Sequence, residues 1–69
     1  MLSLTIEVEQ EEDGRWIAEV MELPGVMVYG DSEPDAVRKA KSLALQVLAE
    51  RIATAELPEL DSIEFVSAA

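Results

Sequence analysis

Carboxylates are the only side chains in this sequence that could carry acid–base or metal chemistry. The chain contains no histidine and no cysteine, so it lacks a serine–histidine relay, a thiolate nucleophile and the ligands that zinc prefers. A metal-dependent hydrolase would instead need several acids converging within about 4 Å of a metal pair. The candidate acids are divided between strand-like segments and a helix start: Glu7, Glu9, Glu19, Glu33, Asp35 and Glu64. We therefore predict no catalytic residue, no metal site and no cofactor.

The net charge restricts the partners of the chain. Fifteen acidic and five basic residues give a formal charge of −10 at pH 7. A negative field of this size repels a phosphate backbone and attracts a basic protein, so we expect a protein partner rather than direct binding of nucleic acid. Solubility is the alternative explanation of the acidity. Neighbouring acids dilute the basic cluster Arg38, Lys39 and Lys41, which favours a solvated surface over a phosphate contact.

The length of the chain limits its core. A single domain over residues 1–69 buries only about 60% of the surface that its unfolded chain exposes, so we expect a homo-oligomer, dimeric or higher. No apolar run approaches the roughly 20 residues of a membrane span, and the first residues lack the basic start of a signal peptide. These features predict a cytoplasmic protein that does not bind membranes.

Two alternating segments predict an antiparallel hairpin. Apolar residues recur at every second position over 2–8 and again over 16–20, as in strands with one buried face. Matching the buried faces leaves Glu12-Asp13-Gly14 as a three-residue loop, with glycine in the left-handed conformation at its last position. The residues that pair across the hairpin are then Val8 with Ala18 and Ile6 with Val20.

This register also indicates candidate binding residues. Glu7 falls opposite Glu19 on the face turned away from the core, where like charges repel. Either both glutamates are solvated, or a basic contact from a partner relieves them. Ile17 lies on the same face and adds an apolar patch, which is either a dimer seam or a surface that grips a partner. In the third strand, Val26–Tyr29, two pairs compete for the inward face. With Met27 and Tyr29 outward, the predicted partner-binding residues are Glu7, Ile17, Glu19, Met27 and Tyr29.

A helix is predicted from Ser32 to about Ala55. Ser32 and Asp35 have the spacing of a capping box, with aspartate in place of glutamate. Such a helix is about 35 Å long, whereas an eight-residue strand covers about 27 Å, so its last turns overhang the sheet. Leu45 and Ile52 lie at the edge of the apolar arc and are predicted oligomer contacts. The arc that faces the sheet consists of Ala36, Val37, Ala40, Leu43, Ala44, Val47 and Leu48.

The last segments complete the predicted fold. Leu57-Pro58-Glu59-Leu60-Asp61 breaks the helix, and Ile63–Val66 is a fourth strand. A strand that follows a helix crossing a sheet usually returns parallel, which places this one beside the first strand. The prediction is an α+β fold with element order β-β-β-α-β, a mainly antiparallel sheet of order 3-2-1-4 and one long helix on one face.

A combination of turn motifs carries a family resemblance. Leu23-Pro24-Gly25 is followed at a fixed distance by Gly30-Asp31-Ser32 and preceded by the segment Gly14-Arg15-Trp16-Ile17-Ala18-Glu19-Val20. From about Leu4 to Leu48 the chain is similar to the N-terminal domain of HicB-like antitoxins. The resemblance implies a partial ribonuclease H-like fold and a small basic partner, a HicA-type toxin that cleaves RNA and is occluded by the antitoxin. The chain stops after that domain, so the DNA binding and autorepression of many family members are not expected.

Three hypotheses for the function follow. The first is an acidic, antitoxin-like protein that neutralises a toxin ribonuclease by occluding its RNA-binding surface. The second is a stand-alone oligomeric module that binds another protein or a small molecule. The third, a metal-dependent nuclease, requires the separated acids to converge, which their positions in the sequence do not favour.

Overall fold

The computed structural model describes residues 1–57 and 60–68. The elements are β1 (Leu2–Gln10), β2 (Trp16–Val20), β3 (Met27–Gly30), α1 (Glu33–Ala53) and β4 (Ile63–Ser67). The strands form one sheet of order β3-β2-β1-β4, in which only the β1 and β4 pair is parallel among the described residues. The predicted α+β fold and strand order are confirmed. Part of the predicted helix-breaking segment, residues 58 and 59, lies outside the described residues.

The hairpin of β1 and β2 has the predicted register. Ile6 pairs with Val20 and Val8 with Ala18. Gly14 has φ +91°, a conformation that glycine adopts without strain. Its amide donates to the carbonyl of Glu11 at 3.0 Å and closes the loop. The alternation determines this register because a shift of one residue would turn every apolar side chain toward water.

The core lies between the sheet and α1, and small residues bring the two close together. Ala36, Ala40 and Ala44 are fully buried on the inner face of the helix. Gly30, at the end of β3, shows how close the approach is, since a Cβ added there would lie 2.7 Å from the Cα of Ala36. The strands contribute alternate residues to the same core: Leu4, Ile6, Ala18 and Val20.

Local hydrogen bonds determine where α1 begins. The hydroxyl of Ser32 accepts from the Asp35 amide at 3.2 Å, as predicted for an N-cap. The Asp35 carboxylate, however, accepts from the Asp31 amide at 3.1 Å, one residue before the cap. This bond, followed by those from Arg38 and Lys39, holds the pKa of Asp35 below its usual range. The cap therefore satisfies two amides at the start of the helix.

The helix ends two residues earlier than predicted. Ala55 has φ 62°, a left-handed conformation that a helix cannot continue. Its amide donates to the Ile52 carbonyl at 3.1 Å, and the Glu56 amide donates to the Arg51 carbonyl at 2.8 Å. No residue of α1 beyond Leu48 is fully buried. Within the described ranges, no helix combines the length and the apolar character needed to cross a bilayer.

A carboxylate continues the ladder where β2 ends. Glu22 accepts from the Thr5 amide at 2.6 Å and from the Thr5 hydroxyl at 2.7 Å. Next to it, the Met21 amide donates to the Thr5 carbonyl at 2.9 Å. The bond from the Thr5 amide and then that from its hydroxyl lower the pKa of Glu22. The end of the strand pair is thus held by an ionised side chain.

Candidate protein-binding surface

The candidate site is the face of the sheet opposite α1, which we call the outer face. Strand alternation arranges its central side chains in two rows across β1, β2 and β3. All of these side chains are exposed or half-buried, whereas their neighbours along each strand turn toward the helix. The first row is Glu7, Glu19 and Met27, and the second is Glu9, Ile17 and Tyr29.

A shallow groove runs along these rows. Its volume is about 340 Å³. Ile17 and Met27 form its apolar part, and Met27 is 52% exposed. The acidic residues that line it are Glu7, Glu9, Glu11 and Glu19. The groove thus combines a small apolar centre with a carboxylate rim, a combination suited to the aliphatic stem and cationic head of lysine or arginine.

The negative charge of the groove has little internal compensation. The ion pairs among the described residues join Arg15 to Asp13, and Arg38 and Lys39 to Asp35. None of them includes a carboxylate of the groove. Glu7 lies directly opposite Glu19, so two like charges meet across the β1 and β2 ladder. An external cation would relieve this repulsion.

Arginine 15 occupies one end of the outer face. Its guanidinium lies 4.3 Å from the centroid of the Tyr29 ring and donates to Asp13 at 2.8 Å. The Tyr29 hydroxyl donates to the Glu11 carboxylate over a longer 3.5 Å. The backbone and side-chain bonds from Arg15 hold the pKa of Asp13 below its usual range. Tyr29 is therefore already engaged by its own chain, which makes it the least available of the predicted binding residues.

The outer face brings all five predicted partner-binding residues together: Glu7, Ile17, Glu19, Met27 and Tyr29. Burial shows which pair of the third strand faces inward. Val26 is 2% exposed and Val28 is half-buried on the inner side, so Met27 and Tyr29 face outward. Sequence reasoning did not assign Glu9 and Glu11 to the site. The alternation that places Glu7 on the outer face continues through Glu9 and Glu11, so the same pattern could have assigned them to the site.

The two predicted oligomer contacts lie elsewhere. Leu45 is 45% exposed and Ile52 is 40% exposed, and both are on α1 rather than on the outer face. The acids that a metal-dependent hydrolase would need are also dispersed. Among the described residues, no three histidine, cysteine, aspartate or glutamate side chains are placed to hold a metal ion.

A second cleft opens between the start of α1 and the end of β4. Its volume is about 180 Å³, below the roughly 300 Å³ at which ligand pockets usually begin. Lys41 lies over the Phe65 ring at 5.6 Å from its centroid, at the mouth of this cleft. The cleft therefore has room for a small ligand at most, and the outer face is the stronger candidate.

Together, the fold and the site define a small α+β protein with an open, acidic sheet face. No protein-family model matches the chain, and no curated protein or solved structure is significantly similar to it.

Proposed function

We propose that this chain is a non-catalytic, antitoxin-like protein that binds a small basic protein through its outer face. The observation that carries the proposal is the groove, in which glutamates surround Ile17 and Met27 and take part in none of the ion pairs of the described chain. The HicB-like turn motifs suggest the kind of partner, a HicA-type toxin ribonuclease. The resemblance and the charge of the surface support the same class of partner independently.

Competition with RNA is the proposed mechanism. A ribonuclease must present cationic side chains to the phosphates of its substrate. The carboxylates of the groove offer those cations an alternative partner and accelerate the encounter of the two proteins, an effect that salt weakens. Once bound, the antitoxin-like chain covers the surface that RNA would occupy. No bond is made or broken by the residues of this chain.

The apolar centre of the groove supplies the affinity that the charges alone do not. An exposed ion pair contributes only about 0–1 kcal/mol, so a ring of glutamates would steer a partner without holding it. Ile17 and Met27 bury apolar surface when a partner docks, and this burial provides most of the affinity. A toxin that cleaves cellular RNA acts in the cytoplasm, and the proposal includes that location for this protein.

Charge reversal on the outer face tests the proposal. The dissociation constant of the complex with the candidate basic toxin would be measured by calorimetry for the wild type and for Glu7→Lys/Glu19→Lys. We expect the double variant to lose binding by at least about 100-fold, because two cations would then face the cations of the toxin.

A matched control distinguishes the effect of the outer face on binding from the effect of net charge. Glu50 and Asp61 are exposed and do not line the groove, and Glu50→Lys/Asp61→Lys changes the net charge by the same amount. This variant should bind nearly as tightly as the wild type. Equal losses in the two double variants would show that net charge, and not the outer face, governs binding.

The second candidate function is a stand-alone oligomeric module that binds a different protein or a small molecule. The exposure of Leu45 and Ile52 on α1 favours it, because large apolar side chains in a regular stripe suggest association between copies. A pull-down from native lysate distinguishes the two candidates. Recovery of a basic ribonuclease supports the first, and recovery of the protein alone supports the second.

A further inference from the structure

Charge is unevenly distributed between the two sides of the molecule. Helix α1 carries four of the five basic residues and three of the fifteen acidic ones, so its net charge is +1 and that of the rest of the chain is −11. Two outer faces could not pair, because the glutamates of one copy would meet those of the other. Of the two broad faces of the molecule, the helix side is therefore the one whose charge permits self-association.

The exposed side of α1 has a regular pattern of residue size. Four residues at spacings of three and four lie on one face of the helix. We call them the helix stripe, and in chain order they are small, large, small and large: Ser42, Leu45, Ala49 and Ile52. The stripe is on the opposite side of α1 from the fully buried alanines.

We infer that a second copy of this chain docks on the helix stripe with the two α1 helices antiparallel. Reversing the order of the stripe sets Leu45 against Ala49 of the partner subunit, and Ile52 against Ser42 of the partner subunit. Every large side chain then meets a small one, which permits close packing of the helices. A parallel pair would instead set Leu45 and Ile52 against their own copies.

Charge selects the same orientation. The antiparallel arrangement brings Arg38 toward the carboxyl end of the partner helix, which is the negative end of the helix dipole, and Glu56 lies two residues beyond the C-cap Thr54 there. A parallel arrangement would place the basic segment 38–41 beside its own copy. The antiparallel dimer leaves both outer faces free, and it does not depend on the identity of any other partner.

The substitution Ala49→Leu distinguishes the antiparallel dimer from non-specific apolar association, because the two predict opposite results. Sedimentation equilibrium would compare the dimer dissociation constant of the wild type with that of Ala49→Leu. Leucine fills the space that receives Leu45, so we expect dissociation to become easier by about tenfold or more. Non-specific apolar association predicts the reverse, since the variant exposes more apolar surface. A monomeric wild type, or a dimer that Ala49→Leu leaves unchanged or tightens, would overturn the inference.

Glu50→Leu is the matched control. It adds the same side chain at an exposed position of the same helix outside the stripe and should not weaken the dimer. Circular dichroism melts of both variants would establish that the fold is intact. An equal loss of dimer in Glu50→Leu would show that the effect does not belong to the stripe.

Cysteine cross-linking tests the orientation directly. The chain has no cysteine, so single substitutions provide unique thiols. An equimolar mixture of Leu45→Cys and Ala49→Cys should form the mixed disulfide in excess over either homodimer, whereas a parallel pair would link Leu45→Cys to itself. Met27→Cys, on the outer face, should not cross-link. Because no toxin is present, failure here contradicts the dimer and leaves the proposed function to its own test.

Discussion

The two faces of the sheet are formed by the same strands but differ in packing and in charge. On the inner face, Leu4 and Ala18 are fully buried against a helix whose buried residues are mostly alanine. On the outer face, glutamates and Met27 stand in a shallow, open groove. Close packing makes the inner face sensitive to single methyl groups, whereas the open outer face has room for such changes. Substitutions on the inner face should therefore change stability, and those on the outer face should change binding.

Truncation of a core residue should have the largest effect on stability. Leu4→Ala removes a fully buried side chain and leaves a cavity under α1, so we expect the free energy of unfolding to fall by about 2–5 kcal/mol. Urea denaturation monitored by circular dichroism would measure it. Met27→Ala on the outer face is the control and should change stability by less than about 0.5 kcal/mol. Comparable losses would mean that the outer face is packed against something in the folded protein.

A methyl group added at Gly30 should have the next largest effect. It would press against the backbone of Ala36, which cannot move without shifting the helix. We expect Gly30→Ala to lower the free energy of unfolding by about 3 kcal/mol in the same urea measurement. Gly14→Ala provides the contrast, because Gly14 has open space around it and only its positive φ opposes alanine, at a cost of about 1 kcal/mol. A Gly30→Ala variant as stable as Gly14→Ala would argue against close helix contact.

The sequence predicted the hairpin well because each strand has only one apolar face. Between β1 and β2, a slip of one residue would expose Ile6 and bury glutamate, so the alternation excludes that register. For the third strand the sequence did not determine the inward face, since either Val28 or Tyr29 could fill it by side-chain type alone. Gly30 contained the missing signal: a residue that must lie against the helix also sets the inward positions of its strand.

Contacts between distant parts of the chain were beyond sequence reasoning. Glu22 completes the ladder of Thr5 only because β2 ends where it does, and Arg15 reaches Tyr29 across a strand pair whose register the sequence left open. Glu7, Glu19 and the apolar residues of the site were predicted because they follow from alternation, whereas Glu9 and Glu11 were not assigned to it. The hydrogen bonds that position their neighbours were not predicted.

Acid should weaken the end of the β1 and β2 pair. The pKa of Glu22 is lowered in the folded state, so its stabilisation is fully present above the pKa of the unfolded chain and is lost as the pH falls through the folded pKa. As the pH falls through this range, the melting temperature should therefore decline more steeply for the wild type than for Glu22→Gln. The lowered pKa values of Asp13 and Asp35 act in the same direction, so the informative quantity is the difference between the two proteins. Identical pH profiles would mean that the Thr5 bonds do not depend on the charge of Glu22.

The smallest change in stability should come from the outer face, and it should be opposite in sign to the change in binding. Glu19→Gln removes the repulsion between Glu7 and Glu19, so we expect the free energy of unfolding to rise by about 0.5 kcal/mol or less. The same substitution removes one carboxylate from the groove and should weaken binding of the proposed basic partner. A double-mutant cycle with Glu7→Gln, followed by urea denaturation and by calorimetry, measures both effects. A gain in stability coupled to a loss of binding would show that the like-charge pair is retained for its partner, as expected where function costs stability. A stability that does not change would instead mean that water already separates the two charges.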